Sequence, residues 1–363
     1  AVAGHFGGAG VARVEGPIDY DQWIVHQKFD PWRPFFRVTL ADPTGTVLYL
    51  SARTGEVLQQ TTRHQRVWNW VGAIPHWLYY TQLRRSFLAW DRSVWWLALG
   101  ALLSASAGMG LGLYRSWRQA SGTRPGWSAF KGWLRWHHGL GLGAGVFVLG
   151  WIFSGWLSMD HGRLFSRGVP PDGALAAYAG ATLQAAFSDV DAASLRRFAG
   201  STELVFNVVA GQAVITGTGP AGRRVGVGAS GPLLERLPSA LIQRAAGHAW
   251  GAVTPHPGST ALDRLYRQAD AIPADALRLD LPSPAGASGY FDRYTGTPLL
   301  LLDGSRRAYA WVYYALHTTT LPGLDSHALV RRVLQVVPLL LGLALSVSGV
   351  VIGIRRLRFT PRR

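Results

Sequence analysis

The side chains best suited to chemistry here are eleven histidines, and one of them closes a distinctive stretch, RAYAWVYYALH, from Arg307 to His317. Four aromatic residues and one imidazole sit there just ahead of a long apolar run. Such an imidazole can pack at the foot of a membrane helix, or it can hold a metal through a ring nitrogen. The chain has no cysteine, which excludes disulfides, iron–sulfur clusters, thiolate zinc sites and covalently attached c-type haem. Any redox centre must use other ligands.

His317 has a twin. Residues 37–76, RVTLADPTGTVLYLSARTGEVLQQTTRHQRVWNWVGAIPH, align without a gap to residues 278–317, RLDLPSPAGASGYFDRYTGTPLLLLDGSRRAYAWVYYALH, at an offset of 278 − 37 = 241. Arg37 matches Arg278, Pro43 Pro284, Gly45 Gly286, Tyr49 Tyr290, Thr54-Gly55 Thr295-Gly296, Arg66 Arg307, Trp70 Trp311 and His76 His317. Each copy reads as an alternating strand (Phe36, Val38 and Leu40 in the first), a Pro-x-Gly turn, a second strand, a Thr-Gly turn and a third strand. An amphipathic aromatic helix then runs into the histidine. A repeat of this length predicts an internal duplication with pseudo-twofold symmetry.

Three apolar runs must position these copies. Val94 to Tyr114, Gly139 to Met159 and Val333 to Ile354 are uncharged, and each supplies about the twenty residues a bilayer core requires. The first and third are related to each other: LLSASAGMGLG and ALSVSGVVIG both carry paired serines. Arg115, Arg118, Arg124, Lys131 and Arg135 lie between the first two runs, and Arg355, Arg356, Arg358, Arg362 and Arg363 follow the third, with no acidic residue in either cluster. The positive-inside rule puts both clusters in the cytoplasm. The opposite flanks dilute Arg84, Arg85, Arg92, Arg331 and Arg332 with Asp91 and Asp325. The expected order is an external domain over 1–93, a span over 94–115, a cytoplasmic loop over 116–136, a span over 137–159, a second external domain over 160–332, a span over 333–354 and a cytoplasmic tail over 355–363. The fold class is a transmembrane helical bundle with external α+β domains. The chain opens AVAGHFGGAG without a signal segment although its first domain is assigned outside, so a further histidine-bearing helix is expected upstream. The net charge of +16 would suit nucleic acid, but ten of the 36 basic residues are the two topological clusters, which leaves nucleic acid unlooked for.

The pattern x-Leu-Tyr-x-x-x-x-Thr-Gly-Glu-Val-Leu at 47–58, the run WHHGLGLGAGVFVLGWIFSGWLSM at 136–159, and the segments ALHTTTLP and ALSVSGVVIGIRRLR resemble the PepSY-associated transmembrane proteins of bacterial inner membranes. The resemblance covers nearly the whole chain. It implies PepSY-like external domains in the periplasm and a multi-pass inner-membrane location. Members of that family include ferric-siderophore reductases that carry b-type haem, so haem b is the expected cofactor, two in a full-length protein. A ferric siderophore or another external acceptor, an unspecified membrane or cytoplasmic electron donor and the lipid bilayer are the expected partners. The alternative is a membrane-tethered PepSY module that binds or regulates a peptidase or another envelope protein.

Under the haem reading, His76 and His317 are candidate axial ligands of one iron, and His138 or its neighbour His137 is a ligand of a second. Adjacent helical residues point about 100° apart, so at most one of His137 and His138 faces the bundle. Arg66 and Arg307, ten residues before the paired histidines, are candidates to meet anionic propionates. Trp70 and Trp311 could wall a haem edge. Each has a plainer reading: half-buried interfacial histidines, arginines at lipid headgroups, and tryptophans in an aromatic belt. Gly139, Gly141, Gly143 and Gly145 allow close helix packing or leave room for a porphyrin face. His161 is expected at the outer end of its span, exposed. His5, His26, His64, His248, His256 and His327 have no partner at a metal-ligand spacing. Gly217-Thr-Gly219-Pro-Ala-Gly222 fits a dinucleotide string, but it lies between two strand patterns and predicts a hairpin.

Overall fold

The computed structural model describes residues 10–122, 126–161, 164–256, 272–283, 286–324 and 326–358. Arg124, Pro284, Asp325, Arg362, Arg363 and His5, all used above, lie outside the described residues. The chain divides into two units, residues 1–104 and 105–363.

In the first unit β1 (Val11–Ile18), β2 (Phe35–Leu40), β3 (Val47–Ser51) and β4 (Val57–Thr61) form one antiparallel sheet in that order. Side chains alternate across it. Phe35, Val47 and Tyr49 join Ile24 and Phe29 in one cluster, and Val38, Leu40 and Leu48 form another. The expected inward set of Phe36, Val38 and Leu40 holds for the last two. Phe36 is exposed while Phe35 is buried, because Ile24 and Phe29 give the opposite face of β2 a core of its own. The Thr-Gly turn needs a left-handed residue, and Gly55 supplies it at φ 75°.

Helix α1 (Arg63–Val71) starts at a reciprocal cap, Thr62 accepting from Gln65 N–H while Gln65 accepts from Thr62 N–H. It stops at Gly72, and α2 (Ala73–Trp77) follows with Pro75 inside and His76 in its last turn. Arg84 is buried beneath aromatic rings, its guanidinium 4.2 Å from the Trp90 centroid and 5.1 Å from that of Tyr79. It is therefore a packing cation of this unit, although sequence alone placed it among the flanking charges. Helix α3 (Phe87–Ala120) leaves the unit.

The second unit holds the rest of α3, then α4 (Gly132–Ser158), α5 (Asp172–Ala179) and a three-stranded antiparallel sheet of β5 (Glu203–Val209), β6 (Gln212–Gly219) and β7 (Gly222–Val227). Gly219 pairs with Gly222, so the glycine-rich string is the expected hairpin. After α6 (Ser239–Trp250) come β8 (Thr254–Pro255), β9 (Leu277–Leu281), β10 (Ala287–Phe291) and β11 (Pro298–Leu302), an antiparallel sheet in that order. One face of this sheet packs with Tyr178, Val214, Leu237 and Ile242, the other with Ile272 and Ala310.

The segments matched at the offset of 241 form like elements: β2, β3 and β4 correspond to β9, β10 and β11, and the Thr62 cap to the Asp303 cap of α7 (Gly304–Tyr309). They part at the helix end. Gly72 and Pro75 interrupt the first copy, whereas Tyr313 and Leu316 stand at those positions in the second. There the chain runs on without a break as a π-helix, Ala310–His317, in which Thr318 N–H reaches back to Tyr313 O at 3.0 Å. Helix α8 (Ala328–Arg358) ends the described chain.

Helices α3, α4 and α8, of 34, 27 and 31 residues, are long and apolar enough to cross a membrane. Even α4 extends about 40 Å at 1.5 Å per residue, against a hydrocarbon core of about 30 Å. All three outrun their apolar windows, because no proline or glycine pair stops them at the charged flanks.

Candidate functional site

His317 lies at the end of the π-helix, which packs along α4. Its ring stacks on Tyr313, centroids 5.3 Å apart and planes 13° apart. Nδ1 is 3.1 Å from Trp151 O and 3.2 Å from Ser154 Oγ. A carbonyl oxygen only accepts, and the Ser154 hydroxyl already donates to Gly150 O at 2.7 Å. Nδ1 therefore carries the proton, and in the neutral ring the lone pair is on Nε2. The approach is possible because the next residue on α4 is Gly155: a Cβ there would stand 3.0 Å from His317 Cε1.

The same device recurs near the other end of α4. His137 Nδ1 is 2.9 Å from Ser348 Oγ, whose hydroxyl donates to Leu345 O at 2.7 Å, so this Nδ1 is also the donor. The next residue on α8 is Gly349, where a Cβ would lie 3.3 Å from His137 Cε1. Ser154-Gly155 and Ser348-Gly349 are thus two Ser-Gly cradles, each holding an imidazole by Nδ1. Metal-ligating histidines usually donate the second ring N–H in this way, which fixes the tautomer and aims the other nitrogen. His137 and Ser154 are 154 − 137 = 17 positions apart on α4, about 25 Å along its axis.

His138 is differently employed. It is buried, lying 6.0 Å from the Trp127 ring and edge-on to Phe130 at 5.2 Å. Nε2 meets Gly112 O at 3.0 Å and Ser116 Oγ at 3.1 Å, and Nδ1 meets Ser128 Oγ at 2.8 Å. Both nitrogens are spent on the protein, so this ring fastens α3 and the loop before α4, and His137 is the one with a ligand's arrangement.

His76 is exposed at the end of α2, edge-on to Trp77 at 5.7 Å. It belongs to the first unit and His317 to the second. The paired arginines meet protein. Arg66 donates to Gly45 O at 2.8 Å and to Thr61 Oγ1 at 2.9 Å, and Arg307 donates to Gly286 O at 2.7 Å. Gly45 and Gly286 are themselves matched residues, so each arginine ties the helix to the hairpin turn of its own copy. This gives the matched arginines a structural cause.

Of the early glycines of α4, Gly141 faces Leu345 and Gly145 faces Met109, which is close helix packing, whereas Gly139 faces Trp127 in the preceding loop and a Cβ at Gly143 would meet open space. Trp70 touches Trp23 and Tyr80, and Trp311 is half exposed. His161 sits exposed in the turn after α4, as expected.

Sequence reasoning missed one cluster in the second unit: His256 Nδ1 lies 2.8 Å from Asp280 Oδ2, and Ser288 Oγ donates to Asp280 Oδ1 at 3.1 Å. Burial pushes the Asp280 carboxyl up, but the His256 and Ser288 hydrogen bonds outweigh it and hold the group below its usual range. These residues come together only through the β8–β9–β10 pairing, for which no local spacing gives a signal. Among the described residues, no three His, Asp or Glu side chains converge as a metal site. Arrangements with one or two axial histidines fall outside that pattern. No family model matches the chain, and no curated protein or solved structure matches it.

Proposed function

We propose that the chain is a membrane electron conduit that carries haem b and delivers electrons to an acceptor outside the membrane, a ferric siderophore in the reading its sequence resemblance implies. The observation that carries this is the Ser-Gly cradle used twice, at His317 and at His137. In both, a helix carbonyl or serine hydroxyl takes Nδ1–H and a glycine lets the ring in, which fixes the Nδ1-protonated tautomer that metal-ligating histidines usually adopt. His138, with both nitrogens engaged, does not fit that role. When bound, haem b supplies one-electron chemistry, its potential set by axial ligands and their hydrogen bonds. The chain's own residues orient the imidazoles: Trp151 and Ser154 for His317, Ser348 for His137. His76 remains a proposed ligand opposite His317.

The same proposal includes duplication of a PepSY-like unit, supported by like strand orders and by the two arginine-to-turn bonds. It also includes a bacterial inner-membrane location with Arg115, Arg118, Lys131, Arg135, Arg355, Arg356 and Arg358 on the cytoplasmic side, supported by their lack of acidic neighbours. The visible spectrum of the purified chain, expressed with ample haem, tests the function. A Soret band with reduced α-bands is expected, and their absence removes the conduit. A tethered binding module would then stand, favoured by the exposed apolar surface of Val67, Trp68, Trp70 and Val71 on α1.

A further inference from the structure

Helices α4 and α8 leave a groove of about 540 Å³ between them, and its lining is almost wholly apolar. Trp133, Trp136 and Leu140 form one wall and Ala344 and Val347 the other. Along α4 the groove covers 140 − 133 = 7 positions, about 10 Å. It opens at the end of both helices that bears their charge. Lys131 and Arg135 stand at the start of α4, and Arg355, Arg356 and Arg358 close α8, all of them exposed. The Arg355 guanidinium lies 5.7 Å from the ring of Trp133, so one cation borders the groove wall itself. No Asp or Glu occurs in residues 92–159 or 326–363.

An apolar slot under a purely cationic rim, on helices able to cross a bilayer, selects its occupant by chemistry. Water gains nothing from the apolar walls, and a soluble anion would use only the rim. A zwitterionic lipid brings an ammonium to a rim that already repels cations. The geometry points to an anionic phospholipid, held with an acyl chain between Trp136 and Val347 and its phosphate between Lys131 and Arg355. Basic pockets between transmembrane helices hold anionic headgroups in this manner. Ser348, which takes His137 Nδ1–H, also lines the groove, so the lipid and the His137 cradle share a wall, while Lys131 and Arg355 take no part in the cradle.

Native mass spectrometry of the purified full chain in detergent, with equal phosphatidylglycerol and phosphatidylcholine added, reads both lipid adducts and oligomeric state. Retention of one phosphatidylglycerol in preference to phosphatidylcholine is expected. Lys131→Gln together with Arg355→Gln should weaken that retention by roughly fivefold for each charge removed. Ala344→Phe keeps every charge but fills the exposed apolar wall, and it should lower retention of both lipids. Equal retention of the two lipids overturns the inference. So does an unchanged preference in the double variant, or full competition by glycerol phosphate, which would leave only a rim for free phosphate. A dimer that excludes lipid would assign the groove to a second copy and equally overturn it.

Discussion

Replacing Gly155 with alanine tests the His317 cradle without touching the histidine. The new methyl would stand 3.0 Å from Cε1 and 3.4 Å from Nδ1, inside the 3.5–4.0 Å at which carbon atoms rest comfortably. The ring must give by a few tenths of an ångström, which lengthens the Nδ1 contact to Trp151 O, now 3.1 Å, towards the limit of hydrogen-bonding range. Weakening that bond costs up to about 1.5 kcal/mol, and forcing the methyl in costs about 1–3 kcal/mol. Alanine returns at most about 1 kcal/mol of helix propensity. The net penalty of about 1–3 kcal/mol falls on the ring, so occupancy of its present position should drop roughly fivefold or more, while α4 stays intact. The assay compares dithionite-reduced spectra of the parent, Gly155→Ala and His317→Ala, together with tryptophan-fluorescence melting. Gly155→Ala should lose the same spectral component as His317→Ala, with the other component and the melting transition close to the parent's. Full retention of both components in Gly155→Ala would refute the cradle as a ligand-holding device.

Gly349→Ala should act likewise on the component that His137→Ala removes, and His138→Ala should instead lower the melting temperature, since its ring fastens neighbouring segments; equal spectral effects at 137 and 138 would contradict this division. Arg66→Met and Arg307→Met each remove a charged hydrogen bond to a turn carbonyl and should cost about 1–2 kcal/mol of stability, seen as a lower denaturation midpoint, with haem spectra unchanged. A spectral shift without loss of stability would point to propionate contact instead. His26 accepts from Lys28 N–H at 3.0 Å through Nδ1, and burial, with Arg84 and Lys28 nearby, lowers its pKa below 6.5. The unfolded chain then binds that proton more tightly, so this contribution to stability is complete above pH 6.5 and is lost as pH falls through the lower folded value, a dependence that His26→Gln should flatten in melting curves. Asp42 is held down to about 2 by Thr44 and Thr46 hydrogen bonds, so its contribution should be complete above about 3.8 and disappear as pH falls towards 2, which carboxylate titration by NMR would check.

The three long apolar helices, the strands of the two matched segments and the hairpin at Gly219–Gly222 were legible because each is written in local periodicity. The apolar cores of the long helices followed from uninterrupted apolar runs, though not their full lengths of 34, 27 and 31 residues, and the turns from glycines at fixed offsets. The burial of Phe35 in place of Phe36 was not, since it depends on Ile24 and Phe29, which pack from outside the strand. Nor was the choice between His137 and His138. Their neighbours in sequence are alike, and the difference lies in Ser348 on one side and Ser128 and Gly112 on the other. The cradles hid for the same reason: FSGW and VSGV are visible in the sequence, but the histidines they hold lie 163 and 211 positions away.

The π-helix before His317 gives this site an unusual kind of fragility. A π turn accommodates one more residue than an α turn over the same rise. If the segment relaxed to α-helix with every residue kept, the extra residue would swing everything beyond it by about 100° around the axis. The imidazole would then face away from Ser154 although every residue that touches it is still present. Deleting a single residue, Val312 for instance, lets an α turn replace the π turn over the same rise and should leave the bearing of His317 close to what it is now. Side-chain substitutions along this stretch can be absorbed one contact at a time, whereas loss of the π hydrogen bonding alters the bearing of the histidine in one step.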